Sequence, residues 1–474
     1  MRCNAERLLF LATLFVYGYF FQGGGFNQNA HFDTVRAIVE RGSFEITEYA
    51  TVLWTPGYTG DVSTVGSRVY SSKSPGLALL CAPFYGLVYA IERACGVDFA
   101  APDVVRINQW LTTIWGAALP GAILAVVVMR RLRLCPMTAG DPLILAAGFA
   151  FGSLFFPYAG MLMVHSLVAL CLFVAWVLVD NTPTALRASI AGLLIGVAFF
   201  ADISAAPLVP CYLLFLWFRR RGAIALFLIG PILAAIATLL YQHIIFGHPL
   251  EAATSRVNVE YVGESLLFGH FDWPDLRRLW WLSFHPLRGL FYCCPIFVLA
   301  LLSIRLVRPT LYWLIPAAVI VNFVLFNLTF HAWTAGWGTG PRYLIPILPF
   351  LIVLAARGYQ RFRVIGYILI TISVIAMFAV TAVRVQWPAK LYEPPYGDNA
   401  VAESIKRLTM RQIALDNDMN NLGLAVGLPK MWSIVPPALV IVSVFVIAAR
   451  SRLRDRRPAL RADAADVPPQ VVST

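Results

Sequence analysis

Two carboxylates and a lysine stand close together in the polar stretch that follows the first apolar run of this 474-residue chain. Asp33 lies in HFDTVRAIVERG, Asp61 in TGDVS and Lys73 in YSSKSPGL. A carboxylate can take the proton of an attacking hydroxyl, and an ammonium beside a helix start can hold a phosphate. Further along, His165 opens an apolar run and Asp202 marks the join of two short ones, depths at which ionisable side chains are costly and functional by default. HAWTAGWGTGPRYLIPILPF interleaves three glycines with Trp333, Trp337, Arg342 and Tyr343. Glycines permit close backbone approach, aromatic rings stack on a sugar or a polyprenyl chain, and a guanidinium can grip phosphate with two parallel bonds. Arg288, in SFHPLRGLFY, has a similar place. Each has a bland counterpart: a solvated helix-end acid at Asp33, a turn acid at Asp61, a snorkelling anchor at Lys73, a hydrogen-bonded core histidine at His165, an interfacial aromatic belt around Trp337.

The elements that must position these groups follow from periodicity. In HFDTVRAIVERG the residues Phe32, Val35, Ile38 and Val39 fall on one helical face, and Asp33, Arg36 and Glu40 on the other. That pattern predicts a helix lying on a membrane surface, apolar side down, with Asp33 toward water. The apolar segment after Lys73, from Gly76 to Ile91, is short, contains Pro83 and ends in Glu92 and Arg93, and is read as a helix in or dipping into the interface.

The chain is 59% hydrophobic and only 13% charged, with mean hydropathy +0.72, the composition of a polytopic membrane protein. Its net charge of +12 comes largely from arginine clusters between apolar runs, which orient a chain in a membrane rather than bind nucleic acid. Arg2 and Arg7 put the amino terminus inside, with an uncleaved first span over 8–21. Further spans are expected near 110–128, 141–159, 164–180, 187–200, 203–218, 223–245, 290–305, 310–329, 342–356, 364–383 and 431–449. This arrangement of about twelve transmembrane helices keeps Arg130, Arg131, Arg133 and the Arg219 to Arg221 cluster inside. Loops 23–108, 246–289 and 384–430 then share the outer face, and 450–474 forms a basic, disordered inner tail. Eight scattered cysteines with no CxxC give no metal or disulfide framework, and no Walker A, GxGxxG, HExxH or GxSxG motif occurs.

These pieces, in this order, resemble the GT-C superfamily of polytopic glycosyltransferases, in particular relatives of the protein mannosyltransferases and the aminoarabinose lipid A transferases. HFDTVRAIVERGSF is similar to the acidic amphipathic helix of their first outer loop, YSSKSPGL to their lysine–proline element and PRYLIPILPF to their RYLLPLLP run. The resemblance implies an all-α membrane fold with juxtamembrane helices in a large first outer loop. It implies a donor sugar on polyprenyl phosphate and a glycan, lipid or protein acceptor, at the outer face of a bacterial inner membrane. It assigns the lysine to Lys73; some relatives use a divalent metal, for which no ligand spacing occurs here. The family's acidic pair falls on Asn27 and Gln28, so Asp33 or Asp61 is left as base, with Lys73, Arg288 and Arg342 around the phosphate. Two other readings stay open: a transporter or flippase, and a homologue that binds a lipid-linked sugar without reaction.

Overall fold

The computed structural model describes residues 2–51, 56–138, 140–180, 184–251, 253, 270–286, 288–336, 338–386, 400–410 and 420–465. In chain order, α1 (Arg2–Tyr19) leads through α2 (Phe26–Arg41), strands β1 (Val62–Val65) and β2 (Arg68–Ser71), and α3 (Gly76–Ala94) to α4 (Pro102–Leu132). Then come α5 (Asp141–Phe151), α6 (His165–Asp180), α7 (Ala185–Ala201), α8 (Ile203–Arg219) and α9 (Arg221–Phe246). The rest is α10 (Pro295–Leu306), α11 (Leu311–Thr329), α12 (Arg342–Arg361), α13 (Arg363–Val383) and α14 (Val435–Ala465). Every span expected from the sequence contains helix, although those near 141–159 and 290–305 are each broken, after Phe151 and after Cys293. Among the described residues, 7 helices are long and apolar enough to cross a membrane, α3 among them, and shorter apolar helices accompany them. The architecture is all-α and polytopic.

Two stretches run longer than expected. The helix after Lys73 continues to Ala94, and its 19 residues, at about 1.5 Å each, reach nearly the thickness of a hydrocarbon core. Leu79, Leu80, Leu87 and Ile91 are exposed on it, so the segment read as interfacial presents a spanning-length apolar face. At the other terminus α14 carries helical backbone into the tail as far as Ala465, through alanine, leucine and arginine, all good helix formers.

The described part of the first loop folds into a compact block. Here the surface-helix expectation is corrected, because α2 is covered on both faces: Phe32 and Val35 are buried, and so are Asp33 and Arg36. On one side Phe32 meets Tyr85 of α3 edge-to-face, with ring centroids 5.6 Å apart. On the other, Ala37 joins Ile46 and Ala50 in a small second core, with Tyr49, Val62 and Val69 packed around it. A period of 3.6 separates the two faces of a helix but does not say whether the polar one meets water or protein.

The buried polar face therefore has to satisfy itself. The Arg36 Nε–H donates to Glu40 Oε1 at 2.9 Å, Tyr49 donates to Oε2 at 3.0 Å and Tyr85 to Oε1 at 2.6 Å. The Arg36 guanidinium also lies 4.2 Å from the Tyr49 ring centroid. This network ties α2 to α3 and to the turn at Thr47–Ala50. Elsewhere in the bundle, other charges are paired too: Asp141 lies 3.3 Å from both Arg363 and Arg452 and accepts from Tyr359, and Asp180 pairs with Arg131 and Arg219.

Removing Arg36 would leave Glu40 a buried anion without its cation. Arg36→Met is expected to cost about 3–5 kcal/mol and Tyr85→Phe about 1–3 kcal/mol, read as thermal unfolding of the purified protein in detergent. Equal small losses in the two would show that the network contributes little.

Candidate functional site

The hairpin between α2 and α3 places the first two groups. Gly66 occupies the first position of the two-residue turn at φ 60°, where a glycine suits the twist of a tight hairpin. The register pairs Val62 with Ser71, and the Ser72 N–H donates to the Asp61 carbonyl at 3.0 Å. Asp61, just before β1, and Lys73, just after β2, are thereby brought side by side. Lys73 Nζ lies 3.1 Å from Asp61 Oδ2, with both side chains only partly exposed.

Docking of α3 carries this pair to the rest of the site. A β-carbon on Gly76 would lie 2.7 Å from backbone atoms of Phe200 and Ala201, so only a glycine lets the start of α3 rest against the end of α7. Asp202 follows immediately, caps the turn by accepting the Ser204 N–H at 3.0 Å, and feels the charge of Lys73. His165, the first residue of α6, lies within electrostatic range of Arg342 and of His31. Its ring is edge-on to Tyr158 at 6.2 Å and to Tyr343 at 6.1 Å. Arg342 is buried over the Tyr343 ring, 5.4 Å from its centroid, and its charge reaches Asp61. Its Nε has no hydrogen-bond partner among the described residues.

The glycine-rich loop before Arg342 is held from three sides. Arg288 donates to the carbonyls of Thr334 and Gly336, on either side of Ala335, whose φ of 57° is left-handed and strained for a residue with a β-carbon. Thr339 is bonded to Val385 through both its N–H and its hydroxyl, and its own carbonyl accepts from Tyr158 at 3.0 Å. Arg288 thus braces the loop with the nitrogens the sequence offered to a phosphate. Trp337 lies outside the described residues.

Asp33 does not join this group. It lies two positions from His31, on the far side of α2, where Arg36 and Glu40 act on it. It is fully buried, neither carboxyl oxygen has a hydrogen-bond partner among the described residues, and a β-carbon on Gly57 would lie 2.9 Å from its Oδ1. Burial pushes its pKa well above the usual carboxylate range, with Arg36 opposing the shift and Glu40 adding to it. The expected water-facing acid is instead a core group whose charged form burial disfavours. The residue that sequence reasoning passed over is His31. It is 2% exposed and near Lys73 and Asp61, and burial first, then Lys73, push its pKa down to about 3, so it is neutral at physiological pH. The helical wheel contained the signal, since a side chain two residues from Asp33 points the opposite way.

Asp61, Lys73, His165, Asp202, Arg342 and Tyr343 are therefore clustered at one end of the bundle. Paired carboxylate and ammonium, a buried guanidinium and aromatic edges can stabilise a departing phosphate and take up a hydroxyl proton. The described residues hold no group of three or more His, Cys, Asp or Glu side chains suited to a metal.

The helices described above make an all-α polytopic membrane protein. The crystal structure of ArnT from Cupriavidus metallidurans bound to undecaprenyl phosphate shares the fold with TM-score 0.51 at 14% identity, over 97% of this chain and 79% of that one. ArnT from the same organism in the apo state gives TM-score 0.49 at 15% identity, over 98% and 80%. No family model matches the chain, and no curated protein matches it in sequence.

The state of Asp33 has a measurable consequence. The native state keeps its proton at pH values where the unfolded chain, with a carboxylate near pKa ~4, has lost it, so stability falls as pH rises from ~4 toward the raised native value. Asp33→Asn mimics the protonated form and should remove that part of the slope. Melting curves should show a larger gain for the variant at pH 8 than at pH 5; a loss at pH 8 would mean that the ionised carboxylate is needed.

Proposed function

We propose that the chain is a membrane glycosyltransferase that moves a sugar from a polyprenyl-phosphate donor to a glycan, lipid or protein hydroxyl. The observation that carries this reading is the Asp61–Lys73 pair, set by the hairpin beside His165 and Arg342 within an ArnT-type fold. The structural neighbour bound to undecaprenyl phosphate supports a lipid phosphate as the donor's carrier.

The acceptor oxygen attacks the anomeric carbon from the side opposite the phosphate. The new C–O bond forms as the anomeric carbon–phosphate oxygen bond breaks, and the configuration inverts. The hydroxyl proton passes to the Asp61 carboxylate, and the bonding electrons leave with the lipid phosphate, which goes from one negative charge to two. Lys73 and Arg342 are the cations for that added charge, which grows in the transition state and so is where fixed positive groups accelerate the reaction most. Arg288 keeps the Thr334–Gly336 backbone in place. Asp33, buried on the other side of α2 with its carboxyl held above the usual range, is left outside this chemistry, and its placement favours Asp61 as the base. The arginine clusters at 130–133 and 219–221 orient the chain with its three long loops, and this site, toward the outer face of a bacterial inner membrane.

The test is mass spectrometry of envelope glycans from a strain lacking the chain, complemented with wild type, Asp61→Asn, Lys73→Gln or Asp33→Asn. Deletion should remove a sugar-sized mass, restored by wild type and by Asp33→Asn. Asp61→Asn and Lys73→Gln should each lower the product at least a hundredfold, as loss of a general base or a transition-state cation does. Full recovery with Asp61→Asn would move the base elsewhere. Unchanged glycans on deletion, with a lipid-linked solute accumulating on one side of the membrane, would replace the transferase with a transporter.

A further inference from the structure

Far from the Asp61–Lys73 pair, two guanidiniums share one carboxylate. Arg363 opens α13 and Arg452 comes from α14, and each approaches Asp141, at the start of α5, to 3.3 Å. Tyr359, near the end of α12, donates to the same carboxylate at 3.1 Å. Arg342 stands at the start of that 20-residue helix, so nearly its whole length separates the two sites. Close packing holds the arrangement. A β-carbon on Gly140 would lie 2.8 Å from Arg452 Cβ, so α14 rests directly on the start of α5. The Arg452 guanidinium lies over the Tyr367 ring, 5.4 Å from its centroid.

Asp141 itself is well provided for, since Thr138 donates to it as well through its N–H and its hydroxyl. Its arginines are not. Arg363 Nη1 and Arg452 Nε are buried atoms with no hydrogen-bond partner among the described residues, so the Arg452 Nε contact with Asp141 is one of charge alone. Two buried N–H donors and one positive charge are left over, a cost that a suitable acceptor would offset. Beside them a groove of about 240 Å³ runs between α5, α13 and α14, lined by Ile144, Tyr367, Ala449, Leu453 and Arg452. Four of these side chains are apolar or aromatic and the fifth is one of the two cations. The flanking helices also expose Ile365, Ile368, Val446 and Leu453, as surfaces in hydrocarbon do.

The two halves specify one ligand. Guanidinium groups only donate hydrogen bonds, and the excess positive charge favours an anion, which a phosphodiester satisfies on both counts. A free phosphate would have no use for the groove, whereas a phospholipid fills it with an acyl chain. A zwitterionic headgroup would bring a further cation to a place that already has one too many. We propose that Arg363 and Arg452 hold the phosphate of an anionic phospholipid, with an acyl chain in the groove between α5, α13 and α14. The site needs only a chain that spans a membrane, and it stands whether or not the distant cluster transfers a sugar. On the orientation given above it belongs to the inner leaflet, where juxtamembrane arginines meet anionic lipids.

The full-length protein in a neutral detergent is equilibrated with equal amounts of phosphatidylglycerol and phosphatidylcholine, and the retained lipids are counted by native mass spectrometry. The wild type is expected to prefer phosphatidylglycerol about tenfold, the effect of a hydrogen bond to a charged group. Arg363→Gln and Arg452→Gln should each bring that preference close to one. Ala449→Trp, at an exposed position of α14, obstructs the groove while keeping both arginines and should also lower it. Arg305→Gln removes an exposed arginine elsewhere and should leave it unchanged. Equal retention of the two lipids by the wild type overturns the proposal. So does a preference untouched by the arginine variants, or untouched by Ala449→Trp, to which a site for a free anion would be indifferent. A preference that Arg305→Gln lowers as far as the others do overturns it too, because general surface charge would then account for it. Should an arginine variant fail to fold, Ala449→Trp and Arg305→Gln still decide.

Discussion

A single ion pair 3.1 Å long, Asp61 to Lys73, stands at the junction of three separately built pieces. The hairpin register fixes its length, because Asp61 and Lys73 flank strands whose pairing allows no slip without turning every side chain over. Contact of Gly76 with the backbone at Phe200–Ala201 fixes its place in the bundle, since any β-carbon there would push α3 off the end of α7. Packing of α2 fixes its surroundings by setting His31 against it and sending Asp33 the other way. Shift any one of the three and the charged groups no longer share a site.

The buried charges divide into two kinds, and the division is physical. Glu40 has a guanidinium and two phenols, and Asp141 has two arginines, Tyr359 and Thr138. Groups so provided for gain nothing from a ligand and hold helices together. In the site, Arg342 Nε is buried without a partner among the described residues, a cost that a packed core would not carry unless something else meets it. Arg288 shows that sequence alone cannot sort a cation into one kind or the other. It sits beside the glycine loop as expected, yet its N–H groups are bonded to that loop's carbonyls, where they hold the left-handed turn at Ala335.

Much of this was legible in the sequence. Composition and the length of apolar runs determined an all-α polytopic chain, since a bilayer tolerates little else, and each expected span contains helix. Residue type and local setting picked out Asp61, Lys73, His165, Asp202, Arg342 and Tyr343, because ionisable and aromatic groups at the ends of apolar runs have few ordinary uses. What only the tertiary structure decided is which face of each element meets what. Amphipathic spacing split α2 correctly into two faces, but whether the polar one met water depended on Ile46, Tyr49, Ala50, Val62 and Val69 packing back against it, a contact that no local pattern encodes. That long-range covering buried Asp33 and gave Glu40 its partners. Carried on the same helix, it turned His31, to which neither composition nor motif drew attention, toward the paired charges.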